Sequence, residues 1–136
     1  MLSVLSKAKI ACGAAVVALA LAAPAHAGLP DEAEINEGLI ATAIAYEISE
    51  KCGPISARMI RGISYLNSLR DRARQLGYSN DEIDAYVGNR EEKRRLEALA
   101  RARLADMGAV VGDEASYCAV GRQEIAAGSA IGRLLR

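Results

Sequence analysis

Two cysteines, Cys52 and Cys118, constrain this chain more than any other feature, because a bond between them would tie together positions 66 residues apart. Whether that bond forms depends on where the protein is sent. The first 27 residues read as an export signal: Lys7 and Lys9, an apolar run from Ile10 to Ala23 closed by Pro24, and the small-residue triplet Ala25-His26-Ala27. The run is about 14 residues, short of the ~20 a membrane-spanning helix needs. Cleavage is expected between Ala27 and Gly28, giving a signal peptide over 1–27 and a helical domain over 28–136, with no membrane span left after cleavage. Cys12 goes with the signal and stands too early, after the wrong residues, to be a lipoprotein site.

Export to the periplasm places Cys52 and Cys118 where disulfides form and persist. An even pair in a small exported domain predicts one bridge. Chain entropy makes such a bridge worth about 4 kcal/mol, a large part of the ~5 to 15 kcal/mol expected of a whole domain. The competing reading, a reactive thiol, lacks support: neither cysteine lies in a Cys-x-x-Cys arrangement, and His26, the one histidine, leaves with the signal.

That loss of histidine excludes whole classes of chemistry. The mature chain cannot build a Ser-His-Asp or Cys-His pair, an H-E-x-x-H zinc site or a histidine-ligated haem. No phosphate-binding glycine loop is present. No catalytic residue, cofactor or metal ligand is therefore expected. Two of the 17 basic residues lie in the signal, which leaves a mature chain slightly acidic against its 17 carboxylates. There is no basic excess to suggest nucleic acid.

Helical periodicity runs through the mature chain. Ile35, Leu39, Ile40, Ala43, Ile44 and Ile48 recur at spacings of three and four, predicting an amphipathic helix that ends at Gly53-Pro54. Pro54 can open a second helix, along which Met59, Ile63, Leu66, Leu69, Ala73 and Leu76 form one stripe, with Gly77 as the stop. Ser79 and Glu82 have the spacing of a capping box before a short helix through Ile83, Tyr86 and Val87. Asn89 opens a longer piece to Met107, with Leu96, Leu99, Leu104 and Met107 as its buried side and Glu91–Arg95 and Glu97–Arg101 as i,i+4 pairs. Asp113 caps a last helix expected to run to about Leu135, with Tyr117, Val120, Ile125, Ile131 and Leu135 facing inward. The expected class is all-α: a small up-down-up-down four-helix bundle with a broken third helix, stapled by one disulfide.

Three features invite a functional reading. Asp81, Glu82 and Asp84 are acidic but lack the spacing of a calcium loop, and fit a capped first turn. Arg90, Lys93, Arg94, Arg95, Arg101 and Arg103 alternate with Glu91, Glu92 and Glu97, as a solvated, salt-bridged face does. Gly121, Gly128 and Gly132 on the last helix offer a small-residue surface, either packed inside the bundle or open as a partner face.

The segments Lys51-Cys52-Gly53-Pro54-Ile55-Ser56-Ala57-Arg58, Leu76-Gly77-Tyr78 with Asp81-Glu82-Ile83, and Ser116-Tyr117-Cys118 through Gly121-Arg122 to Glu124-Ile125-Ala126-Ala127-Gly128-Ser129 resemble a domain-of-unknown-function family. Its members are small exported helical proteins of alphaproteobacteria related to Rhodobacter. The resemblance implies the periplasm, the paired cysteines and the helical fold, and adds no mechanism. Function is then expected to be binding: an accessory factor of the cell envelope with an envelope protein as partner. The alternatives are a carboxylate-dependent envelope hydrolase and an acid-stress chaperone, since protonating the 17 carboxylates would leave the mature chain strongly positive.

Overall fold

A computed structural model describes residues 28–136, so the signal-peptide segment and the Ala27 side of its cleavage point lie outside the described residues. Five α-helices follow in order: α1 Ala33–Lys51, α2 Met59–Gln75, α3 Asn80–Val87, α4 Arg90–Asp106 and α5 Glu114–Ala127, with 3₁₀ turns at Leu29–Asp31 and Gly132–Leu134. There is no β-strand among the described residues, only an isolated antiparallel bridge between Ala57 and Leu135. The all-α class holds. The expected four helices are five, because the broken third helix is two separately capped ones.

Each cap explains a boundary. Ser79 Oγ accepts from Glu82 N while Glu82 Oε2 accepts from Ser79 N, closing the capping box of α3. Asn89 accepts from the amides of Glu91 and Glu92 to start α4, and Asp113 from that of Ser116 to start α5. Asp81 and Glu82 lie in the first turn of α3, and Asp84 pairs with Arg70.

Two boundaries differ from expectation. α2 begins at Met59, not Pro54, because Ser56 and Arg58 give their backbone amides to the carbonyls of Arg136 and Leu134. The tail competes successfully for groups a helix would have used. α5 stops at Ala127, with Gly128 at φ 60° as its left-handed cap, so the last helix does not reach Leu135. The chain then turns back, and Ile131, Leu134 and Leu135 bury themselves by way of the tail.

α1 is the hub. It packs against α2, α4, α5 and the tail, and its Ile40, Ile44 and Ile48 stand in the main core with Leu104, Tyr117, Val120 and Leu135. The Cys52–Cys118 disulfide joins the end of α1 to the second turn of α5, with Cα atoms 5.1 Å apart. Glu114 Oε1 accepts from the Gly53 amide at 3.0 Å beside it. A smaller cluster of Leu29, Ile35, Leu69, Ala73, Tyr78 and Ile83 holds α2 and α3 to the start of α1. Asn36, a buried polar residue, sits at that junction.

Candidate functional site

α1 and α2 run antiparallel and meet closely at only one end. A Cβ on Gly38 would stand 2.6 Å from Leu69 Cδ2, so at that level the helices touch backbone to side chain. Arg72 Nε reinforces the contact on Glu34 at 2.7 Å. Toward the other end the helices part, and no Cβ contact waits for Gly62 within 4 Å. The consequence is visible in the α2 stripe. Leu69 and Ala73 are buried as its spacing predicts, but Met59 is 66% exposed, Ile63 57% and Leu66 39%. Half of a stripe expected to lie in the core therefore faces solvent.

On the opposite flank, α4 packs on α1 without closing against α2. An open trough of about 590 Å³ results, with Leu39, Ala43 and Tyr46 of α1 as floor, Leu66 of α2 as one wall and Leu96 of α4 as the other. A smaller hollow of about 130 Å³ continues it between Tyr46 and the Met59, Ile63 and Leu66 side of α2. Tyr46 is 58% exposed and Val87, at the trough's end, 61%. Single exposed apolar residues are ordinary, whereas a contiguous concave set of them is a candidate binding site.

The rim of the trough on α4 is balanced. Glu92 pairs with Arg95 at 2.8 Å and Lys93 reaches Glu97 at 4.0 Å, in place of the expected Glu91–Arg95 and Glu97–Arg101 pairs. Arg103 binds Glu37 of α1 through both guanidinium nitrogens, which holds the Glu37 carboxyl below its ordinary range. Tyr86, at the trough's edge, is pushed upward by burial and donates to Asn36 Oδ1 at 2.6 Å. Lys93, Arg95 and Arg103 of the basic group are thus in ion pairs.

The three glycines expected on one helix face do not share one. Gly121 is buried on α5, where a Cβ would stand 2.6 Å from Ile55 Cδ1 and 2.9 Å from Ile48 Cγ2. Gly128 is the helix cap, and Gly132 is buried in the tail against the Glu124 carbonyl. Close packing within the fold accounts for Gly121 and Gly132, the first of the two readings their spacing left open. Tyr46 and Ile60 were not singled out in the sequence. The available signal was their position: Tyr46 lies off the α1 stripe, and Ile60 directly beside Met59 off the α2 stripe, so both are large apolar residues that periodicity leaves outside.

Among the described residues no helix is long and apolar enough to cross a membrane, and no three His, Cys, Asp or Glu stand close enough to hold a metal ion. No curated protein and no solved structure matches the sequence. A family model described as a family of unknown function, DUF5333, matches residues 27–136, and the chain belongs to that family.

Proposed function

We propose that this is a non-catalytic binding protein of the cell envelope, exported by residues 1–27, which holds an amphipathic helical segment of a partner protein in the trough between α2 and α4. The observation that carries this reading is the α2 stripe: Met59, Ile63 and Leu66 have helical core spacing yet are left largely uncovered by the described residues. The trough is open along one side, which suits an occupant with one apolar face and one wet face, the helix-in-groove mode of recognition. The absence of histidine after residue 27 and the oxidised state of Cys52 and Cys118 support a role without catalysis. A photocrosslinking residue at Leu66, tested in intact envelopes, should give one discrete adduct with a second polypeptide, whereas the same probe at Val111, exposed but outside the trough, should give none. Equal adducts from both positions, or none from Leu66, would set the reading aside.

Acid-opened chaperoning is favoured by one specific observation: three of the polar ties that α1 and its N-cap Glu32 make to their neighbours run through carboxylates. Glu34 holds Arg72, Glu37 holds Arg103, and Glu32 accepts from the Tyr78 hydroxyl. Neutralising a carboxylate weakens the charge-assisted bonds it accepts. Suppression of client aggregation at about pH 2 to 3 tests it, and no effect there removes it.

A further inference from the structure

The trough does not end neutrally. Where it reaches the start of α2 it adjoins a second hollow of about 720 Å³ lined by Arg58, Met59, Ile60, Arg61 and Arg136. The Arg133 carbonyl accepts from Arg61 at 3.5 Å at this corner, while the Arg133 guanidinium bonds the end of α5. Among the described residues none of these four arginines pairs with a carboxylate. Arg58 Nε donates to the Leu135 carbonyl at 3.0 Å, Arg133 to the Gly128 carbonyl at 3.2 Å and Arg136 Nε to Ser56 Oγ at 3.3 Å. These bonds hold the side chains in place without neutralising them. The helix end adds to the field. α2 has no acidic residue in its first turn and no side-chain cap, whereas the first turns of α1, α3, α4 and α5 each carry at least one carboxylate. The positive end of the α2 dipole thus has no carboxylate of its own first turn beside the guanidinium groups of Arg58, Arg61 and Arg136. Met59 and Ile60 stand in the same corner, with Ile60 84% exposed.

Resting on the trough reading, we propose that the occupant is an acidic amphipathic helix, laid with its apolar ridge on Leu66, Ile63 and Tyr46 and its carboxylates against Arg58, Arg61 and Arg136. The charge at the α2 end selects the partner, while the balanced α4 rim does not discriminate. An open, two-walled trough fits one ridge of a helix. An anionic bilayer is the competing occupant, since exposed isoleucine beside arginine also suits a lipid surface.

Two synthetic helical peptides of about 18 residues decide the matter, sharing one leucine stripe and differing only in having Glu or Lys on the polar face. The Glu peptide should bind at least about tenfold more tightly at low salt, and added salt should shrink the difference. Arg61→Glu should abolish the preference, and Ile63→Glu should abolish binding of both peptides with the circular dichroism spectrum unchanged. Equal binding of both peptides, still lost in Ile63→Glu, would overturn the acidic partner and leave the trough standing. Binding of neither would overturn both. Sedimentation with phosphatidylglycerol vesicles but not with phosphatidylcholine vesicles, lost in Ile60→Glu and unaccompanied by peptide binding, would overturn the helix in favour of a membrane.

Discussion

The hydroxyl of Tyr86 donates to Asn36 Oδ1 at 2.6 Å, joining the end of α3 to the first turns of α1. Asn36 is one of the busiest polar residues in the fold. Its Nδ2 donates to the carbonyls of Leu29, Pro30 and Glu32, and its Oδ1 also accepts from Arg95 at 3.2 Å. One buried amide therefore fastens the N-terminal turn, α3 and α4 to the hub. Asn36→Leu keeps the volume and strands those partners, so it should cost about 2 to 4 kcal/mol in urea unfolding. Tyr86→Phe, which removes one of the bonds, should cost less.

Two glycines in helix interiors should respond oppositely to the same substitution. Gly121→Ala drives a methyl into Ile48 and Ile55 and should lower the melting temperature. Gly62→Ala meets open space and removes a flexible residue from α2, so it should gain about 0.5 to 1 kcal/mol. Thermal melts of the two variants beside the parent check both signs.

Both sulfurs of the Cys52–Cys118 bridge are buried, Cys52 completely. The double variant Cys52→Ala/Cys118→Ala should lose about 4 kcal/mol, chiefly through the freed unfolded chain. Denaturant unfolding should show the midpoint falling.

The Glu37 carboxyl is held below its ordinary value of 4.5 by its hydrogen bonds to Arg103. A lowered folded pKa contributes stability that is present above the ordinary value and fades as pH falls through the lower one. Both side chains are about half exposed, so the contribution is small and weakens with salt. In unfolding titrations carried down from neutral pH, Glu37→Gln should flatten the acid limb of the stability curve below about pH 5 and leave the limb above it parallel to the parent.

Much of this fold is legible in local sequence. The α1 stripe, the Ser79–Glu82 box, the Asn89 and Asp113 caps and the cysteine pairing each rest on neighbours along the chain or on one redox inference. What sequence misses is long-range. Ser56 and Arg58 spend their amides on a tail almost eighty positions away, which delays α2 and leaves Leu135 to be buried from a turn in place of a helix. Gly128 reads as part of a small-residue face on a helix running on to about Leu135, and its positive φ makes it the helix stop instead. The trough was hidden for a different reason. Periodicity marks residues that need covering, and at Met59, Ile63 and Leu66 the described residues supply only part of the cover.

Methyl-detected NMR during titration with a leucine-striped amphipathic peptide tests that claim most directly. Saturable shifts should centre on Ile63, Leu66, Val87 and Leu96 and spare Val110 and Val111, which are exposed but stand outside the trough. Shifts centred on Val110 and Val111, or none at the trough methyls at saturating peptide, would contradict it.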